Sequence, residues 1–188
     1  MEELKRSNEY SSYDLIKLAS QAQREGRNVE ALNLMKEVIQ QGTDTGEALD
    51  RGVFTKIIPY FQKAGLYLEM EPYCHEHLFL HWNRSISRSL GHQPVDIQKA
   101  YFFLGVSKVY SKMALAAKRE KQVTDEQNFL KEAKHHNSLY TQHKSIGEQE
   151  QLEIEIKELI ELFGEDRTKW PPVFQRRLGI ECTSSDLS

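Results

Sequence analysis

Cysteine is scarce in this chain. Cys74 and Cys182 are the only two and lie far apart, so no disulfide framework is expected and a reducing compartment is. Five prolines and ten glycines are too few for a turn-rich β fold and favour long helices. No apolar run approaches the roughly 20 residues that cross a bilayer, so no membrane role is expected. The opening Met1-Glu2-Glu3-Leu4-Lys5-Arg6 is charged with no apolar stretch behind it, unlike a secretory signal. A cytoplasmic location is the expectation, or a nuclear one in a eukaryote. A basic surplus is also missing: the net charge of −3 argues against nucleic acid as a partner. There is no phosphate-cradling glycine loop, dinucleotide fingerprint or nucleophile elbow, so neither catalysis nor a cofactor is expected.

What is present is a phrase that occurs twice. Leu15, Leu18, Ala19 and Ala22 form an apolar stripe at helical spacing, Gly26 breaks it, and Ala31 opens a second stripe through Met35, Val38 and Ile39. Phe54, Ile57, Ile58 and Phe61, then Gly65, then Met70, Cys74, His77 and Leu78 repeat the arrangement. Self-similarity at this scale marks stacked helical hairpins, each unable to bury its apolar face alone.

The elements follow from stripes and breakers. Residues 1–10 are polar and expected to fray. Ser11-Ser12 caps the first helix, with Asp14 in its first turn. Asn28 caps the second, and Gly42 is expected to end it. Thr43-Asp44-Thr45 opens a third helix through Ala64, kinked at Pro59. A fourth runs from Tyr67 to about Trp82, and residues 85–94 interrupt the chain. Pro94 starts a long helix over 95–119. A helix from Val123 to about Lys144 follows, then a break at Gly147 and a last helix over 149–163 ended by Gly164. Trp170-Pro171-Pro172-Val173-Phe174 cannot be helical across its prolines. The tail, 164–188, is expected to fold partly over the last helix, burying Trp170, and to be disordered from 181. An extended ligand offered to a partner domain is the alternative for it.

The two phrases resemble the tetratricopeptide repeat, a helix-turn-helix unit of about 34 residues. Leu15, Leu18, Ala19, Ala22, Gly26 and Ala31 match its pattern, as do Phe54, Ile57, Phe61, Gly65 and Tyr67. Ile58 and Met70 depart where the family prefers smaller residues, and the interval from Gly26 to Gly65 exceeds the family period. A third unit is placed on Tyr101, Leu104 and Gly105, with Phe129, Leu130 and Ala133 in its second helix. The resemblance covers residues 11–163. It implies an all-α, right-handed array of antiparallel hairpins with a C-terminal capping helix.

It also implies a non-catalytic adaptor or scaffold whose first helices line a concave groove for a protein or peptide partner. Groove positions by the family pattern include Tyr13, Ile16, Ser20, Gln23 and Arg24, then Thr55, Lys56, Gln62 and Lys63, then Lys99, Phe102, Phe103, Val106 and Tyr110. Such a mixture of basic and aromatic residues suits a segment with apolar anchors and negative charge. Phe102 and Phe103 read equally as core. A carboxylate clamp is not expected, because Ile16, Ser20, Thr55 and Pro59 occupy its positions. Trp170 and Phe174 form a second candidate surface, and the apolar last helix offers one for a homodimer.

The alternative reading is a metal-binding enzyme or sensor. His77 and His81 are four residues apart and Cys74 and His81 seven, so all three fall near one helix face as zinc ligands do. The competing reading packs Cys74 and His77 into the hairpin core.

Overall fold

The computed structural model describes residues 10–45 and 51–180. The expectations for residues 1–9 and 181–188, Cys182 among them, and for residues 46–50 lie outside the described residues. The described chain is helical, with no strand among the described residues. None of its helices is long and apolar enough to cross a membrane.

Helix α1, Ser12–Arg24, starts where Ser11 Oγ accepts from the Asp14 N–H at 3.3 Å. It buries Leu15, Ala19 and Ala22 against α2, Asn28–Thr45, which answers with Ala31, Leu32, Met35, Val38 and Ile39. Contrary to expectation, α2 runs through Gly42. That glycine lies on the buried face, and Thr43 and Thr45 return their hydroxyls to the Ile39 and Gln41 carbonyls.

The second hairpin rises through α3, Arg51–Phe54, and α4, Ile57–Lys63. The expected kink at Pro59 is instead a break at Thr55 and Lys56. Pro59 then sits third in α4, where a backbone N–H has no intrahelical partner to lose. The return is one helical run: α5, Tyr67–Tyr73, a π turn at Cys74–Leu78, and α6, Phe79–Ser89. It passes the expected end at Trp82 because Ser85 and Ile86 are still buried, and the interruption shrinks to the turn before Pro94.

The third hairpin joins α7, Val95–Arg119, to α8, Val123–Phe163. α7 has the expected bounds. α8 does not break at Gly147 but runs straight through it. Ser107 Oγ donates to the Ala133 carbonyl at 2.8 Å and Gly147 lies against Ile97, so the two helices are antiparallel. The tail turns at Gly164, makes one 3-10 turn at Arg167–Lys169, and ends in α9, Pro172–Arg177. As expected, Trp170 folds back. It is buried, and its indole N–H donates to the Gly164 carbonyl at 2.8 Å.

Three hairpin turns share one geometry. After α1, α4 and α7 the residues Gly26, Gly65 and Lys121 have φ of 78, 73 and 58. In each case the next N–H reaches back to the third-last residue of the helix, Ala22, Phe61 or Ala117. Left-handed backbone favours glycine, and Lys121 hides the third turn from a glycine-based reading. The hairpins pack in chain order: α2 meets α4 and α6, and α7 meets α4, α5 and α6.

Candidate binding cleft

The matched turns bring the C-terminal ends of α1, α4 and α7 to one side of the molecule. Two residues before each turn stand Arg24, Lys63 and Arg119, in the last turn of their helices, where the negative end of the helix dipole favours a cation. Lys56 and Lys112 occupy a second equivalent position, nine residues before Gly65 and Lys121. The inward faces of these helices are occupied by Ala19 and Ala22, by Phe61, and by Met113 and Ala117. The polar residues on the next face therefore look into a cleft.

That cleft has a volume of about 550 Å³. Its cations are Arg24, Lys56, Lys63, Lys112 and Arg119, joined by Ser20, Gln23 and Gln62, and no carboxylate or histidine lines it among the described residues. Leu115, half exposed, supplies an apolar floor beside Pro59 and Ala116. Gln62 donates to Glu120 at 3.0 Å and accepts from Arg119 at 3.4 Å, tying α4 to the end of α7. None of the five cations pairs with a carboxylate among the described residues. Like charges held in one concavity repel one another and attract anions from solution.

Of the residues expected to line a groove, Ser20, Gln23, Arg24, Lys56, Gln62 and Lys63 line this cleft. Tyr13 stands exposed at the start of α1 with Lys17 Nζ 4.4 Å from its ring centroid, outside the cleft. Lys99 lies 3.8 Å from Asp96 and shares a separate notch with Phe102. Phe103 is half-buried between Phe102, His136 and His143. Tyr110 is buried, its ring parallel to His136 at 5.6 Å. Lys99, Phe102 and Phe103 stand on the first half of α7, which packs on α6 and α8, and Tyr110 lies just past its middle. The cleft uses its last turns instead, so Lys112, Leu115 and Arg119 were missed. The signal was there: Lys112, Leu115, Ala116 and Arg119 share one face at i, i+3, i+4 and i+7.

Trp170 is not available to a partner, because it is sealed beneath the tail, and Phe174 packs on Phe163 at 6.0 Å. The alternative metal set is not assembled. The π turn winds less per residue than an α-helix between Cys74 and His81, so α-helical spacing does not describe them. His77 is half exposed and lies on Tyr73 at 4.8 Å. His81 points into the core, within hydrogen-bond distance of the Thr43 and Ser85 hydroxyls. Burial, with Arg84 adding to it, lowers its pKa. Cys74 is buried too, and burial first, then Glu71, pushes its thiol up to about 12. No group of three His, Cys, Asp or Glu side chains that could hold a metal ion occurs among the described residues.

A second cluster lies between α7 and α8. His136 is sandwiched by Phe103 and Tyr110, Tyr110 Oη reaches His75 Nε2 at 3.2 Å, and His143 bonds Asp96. His136 Nδ1 is buried without a hydrogen-bond partner among the described residues. Burial first, then His135, lowers the His136 pKa, against an opposing pull from Glu132.

No family model matches this chain, and no curated protein or solved structure matches it either.

Proposed function

We propose that the chain is a tetratricopeptide-like, right-handed array of three hairpins whose concave side holds an acidic segment of a protein partner, without catalysis. The observation that carries this reading is the convergence on one cleft, from three successive first helices, of five cations that pair with no carboxylate among the described residues. In a chain of net charge −3, that arrangement separates a positive cleft from a negative remainder. The exposed Leu115 provides an anchor point for an apolar residue between the acidic ones. Among the described residues the lining contains no carboxylate or histidine to move a proton, which fits holding rather than converting a ligand.

A peptide suits the cleft better than a nucleic acid. Its one aromatic lining residue, Tyr60, is buried and offers no face for a base to stack on.

The test is fluorescence anisotropy of a labelled polyglutamate peptide titrated with the full chain. Binding is expected to weaken steeply between about 0.01 M and 1 M salt, as the screening length falls from ~30 to ~3 Å. It is expected to be lost in a Lys63→Glu, Lys112→Glu variant that keeps its helical circular dichroism. Binding unchanged by that variant removes the cleft as the site.

A further inference from the structure

The third hairpin is unequal. Gly147 lies against Ile97 and Gln151 bonds Gln93, so α8 has passed the start of α7 by that point. Glu153, Ile154 and Lys157 still share a notch with His92, Gln93 and Pro94, and beyond Lys157 the helix projects past the body of the hairpin to Phe163, by about 9 Å at 1.5 Å per residue. The tail covers one side of this projection, where Leu159 is buried and Phe163 meets Phe174. The other side carries Glu158, Glu161 and Leu162, which share one face with the preceding Ile154, at i+4, i+7 and i+8 from it. All four are exposed, Leu162 at 73%.

Charge is concentrated on the same stretch. From Glu148 to Glu165 there are seven glutamates and a single lysine, Lys157. Some are engaged within the chain: Glu148 with Lys144, Glu155 with Arg177. Glu158 and Glu161 make no ion pair or hydrogen bond among the described residues. An acidic helix bearing two exposed apolar anchors is the kind of segment that the cationic cleft, with Leu115 on its floor, is suited to hold.

We propose that the cleft of one copy takes the projecting end of α8 of a second copy, so that the chain associates head to tail. This rests on the reading of the cleft as a groove for an acidic segment, and it names that segment. The contact cannot form within one chain. The cleft residues of α7 begin at Lys112, about 22 Å along the helix from Ile97, and the projection extends the opposite way from Ile97. An α-helix does not fold back over such a distance. The contact joins two different surfaces, so it is heterologous, and a pair of copies keeps one free cleft and one free helix end. Ile154 and Leu162 meet Leu115, and Glu158 and Glu161 meet the cations around it. Helix-in-groove seating needs only the exposed face of the helix to enter the cleft.

Sedimentation velocity on the full chain tests this. The wild type is expected to sediment faster as concentration rises at low salt, and to return to monomer in high salt or with excess polyglutamate. Lys63→Glu, Lys112→Glu in the cleft, or Glu158→Lys, Glu161→Lys on the helix, is expected to weaken association by at least about tenfold. The Ala versions of the two variants, which cannot attract one another by swapped charge, are expected when mixed in equal amounts to form a one-to-one dimer that grows no further, since only one intact cleft meets one intact helix end. Where a charge reversal disturbs folding, the Ala versions at the same positions are used. A wild type that stays monomeric at all concentrations overturns the proposal, as does association indifferent to either variant or a mixture that fails to pair. If the chain stays monomeric yet polyglutamate still binds in a Lys63-dependent way, self-association falls and the groove reading stands. If polyglutamate does not bind either, both fall.

Discussion

Replacing Gly147 by alanine is expected to destabilise the protein, against the intrinsic preference of the helix. Within α8, Gly→Ala on its own favours the helix by about 1 kcal/mol. The position is not open, however. A methyl group there meets Ile97 Cγ1 and backbone N at 2.7 Å and Cδ1 at 2.8 Å. Restoring ordinary contact of about 3.5–4.0 Å requires α7 to recede by roughly 1 Å. The backbone nitrogen cannot swing aside as a side-chain tip can. Overpacking of this kind costs about 1–3 kcal/mol, so the net loss is expected at about 1 kcal/mol. For a chain of this size that lowers Tm by roughly 2–4 °C. Urea denaturation read by circular dichroism measures it as a lower midpoint at unchanged slope. Ile97→Ala removes two of the three colliding atoms and leaves the third. A double-mutant cycle is therefore expected to show partial relief, with coupling of about 0.5–1 kcal/mol. A Gly147→Ala protein stabilised by the full helix preference would refute the close approach of α7 and α8.

Lys121→Gly is expected to stabilise by about 0.5–1 kcal/mol, because φ of 58 strains a lysine and suits glycine; thermal melting checks it. Trp170→Ala is expected to release the tail, raising hydrogen exchange over residues 165–180 while α1 to α6 keep their protection. Stability is expected to fall as pH drops from about 7.5 to about 5, because His81 and His136 have folded pKa values below their unfolded ones. The unfolded chain then binds the extra protons, so the loss begins near the unfolded value of ~6.5 and saturates below the folded ones. His136→Phe keeps the stack between Phe103 and Tyr110 and is expected to shrink that drop in a Tm-against-pH series. Cys74 is expected to resist thiol reagents at pH ~8 in the native state and to react freely in denaturant, since burial disfavours its thiolate.

The periodic stretches and the turns that used glycine were readable from the chain. Leu15 to Ala22, Ile57 to Phe61 and the long run of α7 announced their helices, whereas the break at Thr55 and Lys56 went unmarked. Gly26, Gly65 and Pro94 sit where such residues end or begin one. The errors came from the same rule applied where tertiary structure overrode it. Gly42 and Gly147 read as stops by composition alone. The first lies on a buried helix face and the second where a neighbouring helix passes within a methyl group's reach. The cleft was half legible for a related reason. Arg24, Lys56 and Lys63 were found by repeat offset. The third unit was anchored on Gly105, which instead receives the Trp82 indole, and its true turn at Lys121 carried no glycine to mark it. Nothing in the composition of Cys74–Leu78 distinguishes a π turn from the α-helix around it.

That π turn gives this stretch of the chain a lopsided tolerance of length. Each α-helical residue advances the helix by about 100°, and a π turn is the trace left when a helix absorbs one residue beyond its regular count. Losing a single residue between Cys74 and Leu78 would let the helix close into regular α geometry, and His81, Trp82, Ser85 and Ile86 would go on facing the core, with Trp82 in the space that Gly105 keeps open. Gaining one there is a different matter, because the turn has already taken up its surplus. All four side chains would then rotate off the core together by about 100°. A deletion in the turn is absorbed where it falls, whereas an insertion shifts the reading frame of an entire packing face.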